Sequence, residues 1–233
     1  MIKIDLHIHT GEDPRDGLRY PATTVIDRAA ELGFEAIAIT LHRQVLDDER
    51  LFDYARQRGV LLIRGAEWRI GHRDVLLYNL SQHDAQRIRG FDDLAALRRE
   101  RGEELLVIAP HPYHFRHSLH GSLEKHMELF DAIECSCLHF PWLDLNRKAR
   151  HLAAQRGKPL VATSDTHSLW MFGRRYTWVE AEPTVPSVFG AIRQGRTQPV
   201  SPPMSLREFW WMIVRDPLLH RNRRGQLVAS FPD

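Results

Sequence analysis

Short apolar runs bounded by turn residues alternate with helical patterns almost from end to end of the chain. The runs predict strands over Ile2–Ile8, Glu35–Thr40, Val60–Ala66, Asp74–Leu80, Leu105–Ala109, Asp131–Cys135, Leu160–Thr163 and Tyr176–Glu180. Between them, the pattern predicts helices over Ala22–Leu32, Asp47–Arg58, Asp92–Arg101, Leu123–Phe130, Leu143–Gln155 and Ser187–Arg193. Gly33, Gly59, Gly102 and Gly157 each close a helical segment ahead of a strand, as C-cap glycines do. Strand–helix repetition implies an α/β protein with a mostly parallel sheet and right-handed crossovers. Seven or eight such units within the first 180 residues favour a small closed barrel over an open sheet.

The texture changes after Glu182, where Pro183, Pro186, Pro199, Pro202 and Pro203 interrupt the pattern. The reading is a barrel over residues 1–182 that carries the chemistry, and an extension over 183–233 within the same globular unit. In that extension Ser205-Leu206-Arg207-Glu208 reads as a capping box. Leu206, Phe209, Trp210, Ile213 and Val214 then recur on one face of a helix expected to dock on the barrel, with Trp211 and Met212 off that face and free for a dimer contact. His220-Arg221-Asn222-Arg223-Arg224 reads as a solvated tail.

Composition narrows the class. Hydrophobic residues make up 43% and charged residues 27%, which excludes wholesale disorder. Thirty-two Lys and Arg against 30 Asp and Glu give a net charge of +2, unlike a dedicated nucleic-acid binder. Cys135 and Cys137 are too few and too close for a disulfide framework. The start lacks the apolar core of a signal peptide, and the longest strongly apolar stretch, Phe209 to Val214, is too short to span a bilayer. The expectation is a soluble, cytoplasmic protein with no membrane partner. Fourteen histidines, as many as the glycines, are the compositional oddity.

Those histidines gain meaning from position. In Asp5-Leu6-His7-Ile8-His9-Thr10, strand alternation puts His7 and His9 on one side, where both can bind one metal ion. Leu6 and Ile8 then face the helices, and Asp5 shares the histidine side as a hydrogen-bond partner for an imidazole. His42, Glu67, His111, Asp165 and His167 each follow a predicted strand, and the C-terminal strand ends of a barrel converge on one face. Cys135 ends a strand at the same mouth and reads as a small buried residue.

Asp-x-His-x-His-Thr, Ile-Thr-x-His, Gly-x-Glu, His-Pro and Ser-Asp-x-His, in this order over residues 1–180, resemble the PHP (polymerase and histidinol phosphatase) superfamily. The resemblance implies a distorted (β/α)7 barrel holding two or three divalent ions (Mn, Fe or Zn). It implies that His7, His9, Glu67 and Asp165 bind one ion, that Glu67 bridges to a second bound by His111, and that His42 and His167 serve a third. The third ion draws a ligand from the loop after the first motif, where Asp13 and Asp16 are available and Asp16 is preferred. The chain departs from the family at Leu41, where an Asp is usual. It departs again after Glu67, where Asp74 stands nearest the position of a metal-binding His, ahead of His72.

The implied activity is hydrolysis of a phosphoester by water that the ions activate. His42 or His167 would protonate the leaving oxygen, and Arg43, Arg69, Arg116 and Arg175 are candidates for gripping phosphate. A small phosphorylated metabolite or nucleotide is the expected substrate. The alternatives are an exonuclease-like phosphodiesterase on nucleic-acid ends, or a metal-binding module without activity. An amidohydrolase reading loses, because that group typically uses a modified lysine on a middle strand. Lys3, Lys125, Lys148 and Lys158 do not end strands.

Overall fold

Residues Ile2–Ile8 (β1) lie third from one end of a nine-stranded sheet, between Ala36–Ile39 (β2) and Tyr176–Val179 (β8). The computed structural model describes residues 1–114 and 116–212. From β2 the sheet continues through Leu61–Ile70 (β3), Arg73–Tyr78 (β4), Leu106–Ala109 (β5) and Ala132–Cys135 (β6) to Leu160–Ala162 (β7). On the other side, β8 leads to Thr197–Val200 (β9).

The two ends of this sheet meet, so it curls into a nearly closed barrel. Thr177 on β8 both accepts from the Ala162 amide and donates to the Ala162 carbonyl, each at 2.8 Å, and Thr197 on β9 donates to the Leu160 carbonyl. Threonine hydroxyls thus take the place of backbone pairs along the seam.

All eight predicted strands form, but the sheet is less parallel than the pattern implied. Pairs β1–β2, β2–β3, β5–β6 and β6–β7 are parallel, whereas β3–β4, β4–β5, β1–β8 and β8–β9 are antiparallel. The cause at β3–β4 is a two-residue turn, Gly71-His72, between paired Ile70 and Arg73, with Gly71 at φ +60°. The ninth strand contains Pro199, which only an edge strand tolerates.

Helices Ala22–Glu31 (α1) and Glu49–Gln57 (α2) pack outside β1–β3, through a core of Val25, Ile26, Ile37, Ile39 and Leu62. Gln82–Arg87 (α3), Phe91–Arg101 (α4), Gly121–Lys125 (α5) and Arg147–Arg156 (α6) cover the other half, around Leu94, Leu97, Leu123, Ile133 and Ala149. The barrel interior is a third cluster, to which every strand from β1 to β8 contributes. Val185–Arg193 (α7) adds Val188, Phe189, Ala191 and Ile192 to that interior. Val185–Arg193 and Thr197–Val200 are therefore part of the barrel rather than an appendage.

The last described helix, Leu206–Trp210 (α8), is short and carries the expected capping box at Ser205. It does not bury the predicted stripe: Leu206 is 67% and Trp210 53% exposed, and Phe209 meets Phe140 edge-on at 5.1 Å. Ile213, Val214 and the basic tail lie outside the described residues. Among the described residues, no helix is long and apolar enough to cross a membrane.

Candidate metal centre

The centre is built around an irregularity in β1. Ile4 pairs with Ala36 and Asp5 with Ile37, but Ile8, not His7, pairs with Ile39. One extra residue in β1 reverses the facing of the residues after it. Ile2, Ile4 and Leu6 belong to the barrel interior, while Ile8 packs under α1 and α2. His7 and His9 face the barrel mouth above Leu6, both fully buried. The expectation that Leu6 faces the helices is thereby corrected. Asp5 is corrected too: its carboxylate accepts from the backbone amides of Ser164 and His7 and touches no imidazole.

The loop after β1 folds back on itself, with the Gly11 amide donating to Tyr20 at 2.8 Å. A Cβ on Gly11 would lie 2.8 Å from the Leu18 carbonyl oxygen, so this return requires glycine. Glu12 then caps α1, accepting from the Ala22 amide where Pro21 offers no side-chain acceptor. The same loop delivers Asp13 and Asp16. Asp13, fully buried, accepts from the His42 amide at 2.7 Å and from its Nδ1 at 2.8 Å.

Eight of the nine predicted ligands converge. His9, Asp16, His42 and His167 form one group, His7, His9 and Asp165 a second, and His7, Glu67 and His111 a third; within each, the ligand atoms lie within 4.8 Å of one another. His7 Nε2 is 3.4 Å from Asp165 Oδ1 and 3.7 Å from Glu67 Oε2, and His9 Nε2 is 3.5 Å from both carboxylates. These separations are long for hydrogen bonds. They match two ligands of one ion, since bonds of about 2.1 Å at a tetrahedral angle put ligand atoms about 3.4 Å apart. His7 Nε2 and both nitrogens of His9 are buried without a hydrogen-bond partner, a costly arrangement that a cation relieves.

Neighbouring groups fix which nitrogen faces inward. His7 Nδ1 donates to Glu134 at 3.0 Å, His42 Nδ1 to Asp13, His111 Nδ1 to Ser118 at 3.2 Å, and His167 Nδ1 to the Asp165 carbonyl at 3.1 Å. In each case this bond fixes the ring, the usual support for a metal-binding histidine, and in His42 and His111 it turns Nε2 toward Glu67, at 3.0 and 3.2 Å. His111 and Asp165 sit at φ +26° and +47°, strained for non-glycine residues, as side chains aimed by the backbone at a site often are.

The electrostatics also call for a cation. Burial favours neutral carboxyls, yet the surrounding histidines hold Glu67 and Asp165 far below the usual carboxylate range. Against burial, Asp165 and Glu134 hold His7 well above its ordinary value, and Asp16 and Glu67 raise His42 to about 11. Burial and the charge of His167 instead bring His9 down to about 4. The ionised carboxylates are neutralised by protons on His7 and His42, a role that a divalent ion takes over on binding.

The other sequence candidates are placed differently. Asp74 stands apart from the groups: Arg69 grips it with Nε at 2.6 Å and Nη2 at 3.1 Å. His72 lies exposed at the β3–β4 turn. His42 has both nitrogens engaged with carboxylates, Nδ1 with Asp13 at 2.8 Å and Nε2 with Glu67 at 3.0 Å, so its protons point at these partners. His167, with a side chain 43% exposed, is the accessible member. Leu41 is buried in the α1–α2 layer, pointing away from the mouth, so an apolar residue suits it. Cys135 alternates outward from Glu134 rather than lining the mouth. Arg43 and Arg116 are exposed, Arg69 is held by Asp74, and Arg175 is buried. Glu134, not singled out by the sequence pattern, joins the site as partner of His7, of the His111 amide at 2.6 Å and of Thr163.

The PHP-associated family model matches residues 144–197. The chain shares its fold with PsfC from Pseudomonas syringae, at a TM-score of 0.66 and 18% identity, over 94% of this chain and 98% of the other. It is also similar to a protein from Bifidobacterium adolescentis named as a candidate metal-dependent phosphoesterase (TM-score 0.51, 16% identity, 71% and 87% covered). A third similar fold is the lesion-specific endonuclease PfuEndoQ from Pyrococcus furiosus (TM-score 0.54, 14% identity), with 85% of this chain and 57% of that longer one covered. No curated protein matches in sequence.

Proposed function

From the premise that this chain is a PHP-type barrel with a PHP-associated segment, we propose that it is a divalent-metal-dependent phosphoester hydrolase. The carrying observation is the meeting of His7, His9, Glu67, His111 and Asp165 with the inward nitrogens of His7 and His9 unpartnered. Two or three ions of the Mn, Fe or Zn type would supply Lewis-acid stabilisation of phosphoryl charge and water of lowered pKa. His7, His9 and Asp165 would hold one ion, His7, Glu67 and His111 a second, and His9, Asp16, His42 and His167 a third.

The chain's own contribution is positioning. Glu134 keeps the His7 proton on Nδ1, and Asp13 does the same for His42. His167, at the open side, is the group placed to give a proton to a leaving oxygen. Arg43 stands on the rim near Arg15 and Arg69, where burial and those like charges lower its pKa, and meets an incoming anion.

The test is a panel of phosphomonoesters, phosphodiesters and short oligonucleotides, assayed with Mn and with Zn. Hydrolysis of at least one class is expected, and its loss in His9→Ala. Metal-loaded protein that cleaves none of them would overturn the proposal.

A further inference from the structure

Arg175 is the most deeply buried arginine or lysine of the protein's described residues, 1% exposed. It precedes β8, whose Val179 faces the barrel interior, and alternation puts Thr177 and Arg175 on that same inner face. Thr177 is bonded to Ala162, three residues before Asp165, so Arg175 lies beside the strand end that delivers a centre ligand. Its Nε and Nη2 are closed to solvent and lack hydrogen-bond partners. Its one ion pair among the described residues, from Nη1 to Glu208 Oε1, is 3.6 Å long, and the same oxygen lies 3.4 Å from Arg174 Nη1. A guanidinium buried with so little compensation is costly, and an oxyanion held by two parallel N–H bonds is the partner it fits.

What closes it off comes from the C-terminal segment. Glu208 sits on α8, its other oxygen accepting from the Ser205 amide at 2.7 Å. Met204 is fully buried, and its amide donates to the His139 carbonyl at 2.7 Å. The Cys137 thiol is buried as well. Burial raises its pKa, Asp165 adds to that rise and Arg175 opposes it, so the thiol feels both charges.

We propose that Arg175 is an anion-binding residue of the substrate site that Glu208 occupies until an anionic group of the substrate displaces it, releasing residues 201–212 from the barrel. The inference rests on the phosphoester reading of the centre and deepens it. It requires the substrate to carry an oxyanion within reach of Arg175, and it makes the C-terminal segment part of substrate selection. The exposed Leu206 and Trp210 are consistent with a helix held by the Glu208 contact more than by apolar docking.

Inorganic phosphate is the probe, titrated calorimetrically into metal-loaded full-length protein. Glu208→Gln should tighten phosphate binding by about threefold to tenfold, the effect of removing a competing ion pair. Arg175→Gln should weaken it by about tenfold or more. Phosphate should speed hydrogen exchange of amides 201–212 in the unaltered protein. Unchanged affinity in Glu208→Gln, a near-isosteric change that keeps an oxygen for the Ser205 amide, would overturn the inference even if Arg175→Gln fails to fold. Phosphoester hydrolysis with both variants indistinguishable from the parent would sink this inference alone. Phosphate binding through Arg175 without any hydrolysis would sink the activity reading instead.

Discussion

His7 Nδ1 donates to Glu134 Oε1 at 3.0 Å, and neither side chain reaches solvent. The same carboxylate accepts from the His111 amide, so one residue orients two elements of the centre. Glu134→Gln should therefore lower metal affinity by about 10- to 100-fold while leaving the fold intact. A chelator competition series read against circular dichroism checks it, and unchanged affinity would remove Glu134 from the centre's support.

Asp74 gives a prediction of opposite kind. Its pairing with Arg69 leaves it structural, so Asp74→Ala should keep full metal content and lose about 1–3 kcal/mol of stability. His72→Ala, at an exposed turn, should change neither. Denaturant unfolding with metal analysis on the same samples separates the two effects. A drop in metal content for Asp74→Ala would restore it as a ligand.

Burial pushes the Asp5 carboxyl up to about 7, and its Oδ2 has no hydrogen-bond partner. An acid raised in the folded state costs stability once the unfolded chain ionises, so this cost grows as pH rises from about 4 to about 7 and then levels. Asp5→Asn removes the ionisation. Its melting temperature relative to the parent should thus improve from pH 4 to pH 8 in ion-free protein. A difference that stays flat across this range would contradict the assignment.

Most of the site was readable because strand periodicity and strand ends carry it. His7 and His9 share a face two residues apart, and His111 and Asp165 stand just past the ends of β5 and β7; Glu67, expected at a strand end, lies inside β3, which runs on to Ile70. What escaped depended on backbone detail. The extra residue in β1 moved Asp5 off the histidine face, which strict alternation cannot foresee. Glu134 did leave a signal: a carboxylate within the apolar run Ala132–Cys135, in phase with inward-facing Ala132. Asp74 was indistinguishable from a ligand until Arg69 was placed directly opposite it across the β3–β4 pair. The edge strand containing Pro199 read as a break, because proline cannot complete a ladder from both sides.

Metal content tests the central claim most directly. The account predicts at least two divalent ions per chain by mass spectrometry on purified, reconstituted protein, with a loss in His9→Ala and in Asp165→Ala while both stay folded. A folded protein that holds no divalent ion after reconstitution, or variants that retain the full complement, would contradict it.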